Sequence, residues 1–164
     1  MRNFLPKIFI LLSFSFSQTF LFWYSILLIN KLTKYKIKSI FVTYPVEAKY
    51  KNFYLWNWTQ KLFKWKIGFI GISIQDGNLI TLNMSTTMDE DEMFNPLEFD
   101  KFKKMISSMI KIKKFCKIKY INYAGVIPSF LNKNNLPSFQ SASKDVIADV
   151  VISGIYKTLE NEKL

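Results

Sequence analysis

Histidine is absent from this 164-residue sequence, and Cys116 and Arg2 are the only cysteine and arginine. Without histidine there is no Ser-His-Asp or Cys-His nucleophilic machinery, no imidazole-ligated metal and no side chain whose ordinary titration sits near neutral pH. One cysteine excludes a disulfide within the chain and any cysteine-based zinc site. Catalysis by this chain alone would therefore rest on carboxylates, Lys, Tyr or a cofactor. Glycine is also sparse, at five residues. Gly68 and Gly71 lie in an apolar alternation and not at a strand-to-helix turn, so no dinucleotide-binding G-x-G-x-x-G fingerprint is present. The formal charge of +11 is carried almost wholly by Lys. Arginine, the residue best suited to bidentate phosphate and guanine contacts, is nearly missing. The Lys, Ile, Asn and Phe bias is the one AT-rich codons produce. No nucleic-acid partner is expected.

What the chain does have is an uncharged front. Residues 8–30, IFILLSFSFSQTFLFWYSILLIN, carry no charge over 23 positions, which matches the roughly 20 residues needed to cross a hydrocarbon core. Lys31, Lys34, Lys36 and Lys38 follow, against Arg2 and Lys7 before it, an asymmetry that favours a cytoplasmic body. The expectation is a membrane anchor over residues 1–36 with its basic flank. A signal peptide cleaved near Ser15-Phe16-Ser17, a true translation start further into the sequence and a buried helix are the alternatives.

Residues 37–164 read as a small α/β unit with a mixed sheet and flanking helices. Ile37, Ile40, Phe41, Val42 and Tyr44 make a short strand stopped by Pro45. FYLWNWTQKLFKWK (53–66) puts Leu55, Trp58 and Leu62 at helical spacing among lysines, the pattern of a core helix or of a surface lying on a bilayer. KIGFIGISI and NLITLNMST flank Gln75-Asp76-Gly77, a hairpin signal. The acidic run Asp89 to Glu92 lacks the spacing of a calcium loop and is expected to be a solvated loop. Asn95, Pro96 and Glu98 form a helix start of the capping-box type. Phe102, Met105, Ile106, Met109 and Ile110 then recur on one helical face, with Lys101, Lys103, Lys104 and Lys111 on the other. A strand over 118–123 runs into AGVIPSF, and a last helix is expected over 143–159, with Ile147, Val150, Val151, Gly154 and Ile155 on one side. Cys116, before the strand, reads as a buried structural thiol.

In this order, IFVTYP, YLWNWTQKLFKWK, IGFIGISIQDGNLI, NYAGVIPSF and SFQSASKDVIADVVISGI resemble the N-terminal domain of a family of two-domain NAD(P)-dependent proteins. These are the long-chain acyl-[acyl-carrier-protein] reductases and the related shikimate-type or amino-acid dehydrogenases. In that family the N-terminal domain helps hold substrate, and the Rossmann domain that follows carries the dinucleotide. The resemblance implies a substrate-binding site at Asn122, Tyr123, Gly125, Pro128 and Ser129, joined by Ser141, Ser143 and Lys144. Lys144 stands where the family has Gly. The sequence ends at Leu164, about where the family's dinucleotide domain begins. The implied unit is thus catalytically incomplete alone, takes an acyl-type small ligand and uses NAD(P) only if a separate dinucleotide-binding polypeptide supplies it. The alternative is a membrane-tethered, non-enzymatic binding module whose basic-aromatic segment 53–66 touches lipid or a partner.

Overall fold

A computed structural model describes residues 4–45, 55–75 and 79–136. In chain order the elements are α1 (Phe4–Ser17), α2 (Phe20–Leu32), β1 (Ile37–Thr43), α3 (Asn57–Leu62), β2 (Ile67–Gln75), β3 (Leu79–Thr86), α4 (Glu90–Met93), a 3₁₀ turn (Pro96–Glu98), α5 (Phe99–Phe115), β4 (Tyr120–Tyr123) and α6 (Ile127–Lys133). This is a small α/β fold with a mixed four-stranded sheet in the order β2-β3-β1-β4. β1 is parallel to both β3 and β4, while β2 and β3 pair antiparallel. Asp76 and Gly77 of the expected hairpin turn, the expected 143–159 helix and the site residues Ser141, Ser143 and Lys144 lie outside the described residues.

Alternation along the strands assigns the two sheet faces. Ile40 is registered with Leu82 and Ile121, and Val42 with Met84 and Tyr123. These six side chains join Phe22, Trp23 and Ile26 of α2 and Phe102, Met105, Ile106 and Met109 of α5 in one core. The opposite face is mostly polar, with Ser39, Thr81, Asn83, Ser85 and Asn122 flanking Phe41. A smaller apolar cluster, Phe14, Leu55 and Phe63 with Ile70 against it, covers part of it.

The apolar front does not form one spanning helix. Among the described residues no single helix is long and apolar enough to cross a membrane, and α1 and α2 meet at 79°. The break is chemical. Ser17 Oγ donates to Phe14 O, and the Thr19 hydroxyl caps α2 by accepting from Phe22 N. The same elbow wraps the open edge of the sheet. Ser17 Oγ accepts from Phe69 N at 3.1 Å, and Gln18 Nε2 donates to Ile67 O at 3.0 Å. Two side chains thereby take up outward-facing backbone groups of edge strand β2, which would otherwise offer themselves to another chain. Phe14 of α1 lies against Gly68, where a Cβ would collide with its ring. A glycine inside a strand often marks such a close approach, and residue 68 has to be this small for α1 to seat.

α2 is tied to the sheet by Asn30. Its Nδ2 donates to Ile37 O at 3.1 Å and Cys116 O at 2.9 Å, and its Oδ1 accepts from Ile37 N at 2.7 Å. One buried amide thus joins the start of β1 and the end of α5 to the helix. Cys116 is fully buried, as expected, and burial pushes its thiol pKa up to about 11.

Other expectations need correction. The 53–66 segment is helical only over Asn57–Leu62 within the described residues. Leu55 and Phe63, just outside that helix, are buried, whereas Trp58 and Leu62 are more than half exposed. A turn this short cannot bury the whole stripe. The acidic run is a helix, not a loop: Asp89 caps α4 by accepting from Glu92 N. Asn95 caps as expected, accepting from Leu97 N. Glu98 does not close a capping box; its carboxylate turns to Lys64, Lys101 and Trp65 Nε1. β4 begins at Tyr120 and not at 118, and Lys117 before it has a left-handed φ of 57°.

Candidate functional site

The parallel arrangement places the ends of β1, β3 and β4 on one sheet edge, where open α/β sheets commonly bind ligands. Gly125 lies in the turn after β4 with φ 58°, a conformation costly for residues with a Cβ. The Tyr44 phenol occupies the space a Cβ would need. It accepts from Val126 N at 3.2 Å and lies 3.5 Å from Glu90 Oε2, to which it donates. The bare backbone of this turn is therefore filled by a side chain that follows β1. Tyr44 and Glu90 were not among the sequence-derived site residues.

The candidate residues on β4 do not converge. Tyr123 faces the main core, where burial pushes its phenol well above the usual range, and its hydroxyl has no hydrogen-bond partner among the described residues. Asn122 points to the opposite face, where its Nδ2 donates to Ser39 Oγ at 3.4 Å and its Oδ1 has no partner among the described residues. Pro128 and Ser129 are not in an extended loop. They belong to the first turn of α6, where Pro needs no N–H. Ser129 is exposed. Of the five described candidates, Gly125 lies in the turn that leads into α6, Pro128 and Ser129 lie in that helix's first turn, and the other two lie on opposite sides of a strand.

A concave site lies elsewhere, between the α1–α2 elbow, the start of β2 and α5. It has a volume of about 530 Å³, within the usual range for small-molecule clefts. Trp23, Met105 and Met109 are buried beneath it, and Lys66, Lys101 and Lys104 are exposed around it. Lys101, Lys104, Met105 and Ser108 fall at helical spacings that put them on one flank of α5. Ser17 to Phe20 enter from the elbow, so the capping that breaks the apolar run also builds one wall.

The polar groups of this cleft are unequally engaged. Ser17 Oγ, Thr19 Oγ1 and Ser108 Oγ each donate to a backbone carbonyl, and Gln18 Nε2 donates to Ile67 O. Lys101 bonds Glu98 Oε1 at 3.3 Å, and Lys64 lies 3.4 Å from the other oxygen. Burial would raise the Glu98 carboxyl, but the Lys101 hydrogen bond and charge, Lys64 and Trp65 outweigh it and hold it below the usual range. Lys66 has the Phe63 ring 5.8 Å from its ammonium. The available donors are lysine ammoniums, so the cleft suits an acceptor-rich anion with an apolar part. The spacing of Lys101, Lys104 and Ser108 was visible in the sequence. Their meeting with residues 17–20 and 65–67 was not.

No group of three or more potential metal-ligating His, Cys, Asp or Glu side chains occurs among the described residues. Comparison with protein-family models, curated proteins and solved structures gives no match for this chain.

Proposed function

We propose that this chain is a non-enzymatic α/β module that sits on an anionic lipid surface through its N-terminal helix pair. The observation that carries this reading is the distribution of exposed apolar side chains. Of the 19 large hydrophobic residues left exposed among the described residues, 11 belong to α1 and α2. On α1, Leu5, Phe9, Leu12 and Phe16 form an i, i+4, i+7, i+11 stripe opposite buried Phe14. A stripe of this kind lies in the plane of a membrane interface. Isolated exposed apolar residues are ordinary, but a concentration on one helix pair marks a contact surface.

Charge favours lipid over a second copy of the chain. No Asp or Glu precedes Glu47, while Arg2, Lys7, Lys31, Lys34, Lys36 and Lys38 do. A twofold contact through this region would set lysines against lysines, whereas an anionic leaflet neutralises them. Exposed Tyr24, Tyr35 and Trp58 supply amphipathic rings of the kind found at headgroup level. The test is flotation of the full chain with vesicles of phosphatidylcholine, with and without phosphatidylserine. We expect salt-sensitive flotation with the anionic vesicles. Phe9→Asp with Leu12→Asp, both at exposed positions, should reduce it by at least about tenfold from the lost burial of two large side chains. A wild-type chain that stays monomeric and off both vesicle types would refute the reading.

A second reading is the catalytically incomplete substrate domain that the sequence resemblance implies. It is favoured by the parallel β3, β1 and β4, whose carboxyl ends bring Tyr44, Glu90 and Gly125 to one edge. On that reading an acyl-type ligand displaces the Tyr44 phenol, and a separate polypeptide supplies NAD(P). Turnover of an acyl thioester with NADPH by the purified chain alone counts against both readings.

A further inference from the structure

We infer that the cleft between the α1–α2 elbow and α5 is a headgroup site for a lipid phosphomonoester. Its phosphate would lie on Lys66, Lys101 and Lys104, and its chain along Phe20 and Trp23. Three observations select this class. The first is charge. Lys104 has no ion pair among the described residues, Lys66 has only its ring contact, and Lys101 already shares Glu98 with Lys64. Two uncompensated ammoniums match a phosphomonoester, which carries about −1.5 to −2 at neutral pH, better than a singly charged carboxylate.

The second is donor availability. The hydroxyl protons of Ser17, Thr19 and Ser108 are already given to backbone carbonyls. A sugar or amide headgroup that needed those donors would find them spent, while a phosphate accepts from lysines alone. The third is continuity. Phe20 lines the cleft and is 70% exposed, in the same helix pair whose apolar side chains face outward. A lipid can therefore place its phosphate among the lysines while its chain follows Phe20 toward the apolar surface.

The source of the ligand rests on the lipid-surface reading; the chemistry of the cleft does not, and the experiment separates them. Monodecyl phosphate is titrated below its critical micelle concentration into the full chain without vesicles, following the fluorescence of Trp23 and Trp65, which both line the cleft. We expect saturable binding that weakens about fifteenfold on shortening the chain to octyl, at about fourfold per methylene. Lys104→Gln and Lys66→Gln should each weaken it by about tenfold, the value of a charge-assisted hydrogen bond. Decylphosphocholine, of equal chain length but no net charge, should bind at least about tenfold less tightly on the same basis. Equal binding of decylphosphocholine, or no effect of either lysine substitution, overturns the assignment. Inorganic phosphate binding as tightly as monodecyl phosphate overturns its lipid part. If vesicles still capture the chain but monodecyl phosphate does not bind, the cleft assignment falls alone. If monodecyl phosphate binds through Lys104 and vesicles are ignored, the site stands and the membrane seat falls.

Discussion

Asn30→Ala tests whether the apolar front is part of the folded body. Asn30 is 8% exposed, and its side chain makes three hydrogen bonds, to Ile37 N, Ile37 O and Cys116 O, between 2.7 and 3.1 Å. Ile37 and Cys116 are themselves buried. Removing the amide strands these backbone groups, and each unsatisfied buried group costs about 1–3 kcal/mol. Allowing for partial relief by water, the loss is about 3–5 kcal/mol. Whole domains are stable by only about 5–15 kcal/mol, so the effect is large. At about 2–4 °C per kcal/mol for a chain of this size, the melting temperature should drop by about 10 °C. Equilibrium urea unfolding of the full chain, followed by far-ultraviolet circular dichroism, measures the loss. Ser25→Ala on the same helix is the control, because Ser25 is only half-buried and, among the described residues, its Oγ donates just to its own helix at Leu21 O. That change should stay within about 0.5 kcal/mol. If Asn30→Ala also stays within about 0.5 kcal/mol, α2 is not bound to the sheet as argued and the packed, bent front is refuted.

Gly125→Ala should destabilise by about 2–3 kcal/mol, combining the positive φ with overpacking against Tyr44. In a Tyr44→Phe background, which removes the hydroxyl, the same substitution should cost less; strict additivity in thermal melts would refute the contact. Glu98 gives a pH dependence. Its folded pKa lies below the ordinary glutamate value of 4.5, so the unfolded chain binds more protons through the carboxylate range and stability falls as pH drops below that value. Glu98→Gln should flatten this acid limb in urea midpoints measured from about pH 6 to about pH 3, and an unchanged slope would exclude the Lys64–Glu98–Lys101 cluster as its source.

Much of the body was legible because its periodicities are strong. The alternation through 67–75 and 79–86 foretold β2 and β3, and the helical spacing of Phe102, Met105, Ile106 and Met109 foretold the buried face of α5. Cys116 read correctly as a buried thiol. The bend at the front was not foreseen because an uncharged run looks the same whether lipid or protein surrounds it. Hydropathy cannot distinguish a single span from two helices packed on opposite faces of a sheet. Trp58 and Leu62 were ambiguous for a related reason: an aromatic beside lysines fits a core or an interface equally. The candidate site was least legible where it depended on orientation. Asn122 and Tyr123 are adjacent in sequence, and in a strand adjacency means opposite faces.

The signal for the bend was nonetheless present, in Ser17, Gln18 and Thr19. Ser and Thr can return their hydroxyls to their own helix, so they alone would not interrupt an apolar span. Gln18 is different. Its amide reaches Ile67 O, 49 positions away, and in hydrocarbon it would need a comparable partner. A Gln between two hydroxyl residues therefore argues for a protein acceptor outside the run. Here that acceptor is the open edge of β2. Once the elbow is fixed there, Thr19 and Phe20 are carried past the edge and toward α5, opposite Lys101 and Lys104. The cleft is thus a consequence of protecting the sheet edge. The wall that the elbow supplies exists only while the Gln18–Ile67 and Ser17–Phe69 contacts hold, which couples the seating of the helix pair to the geometry of the lysine site.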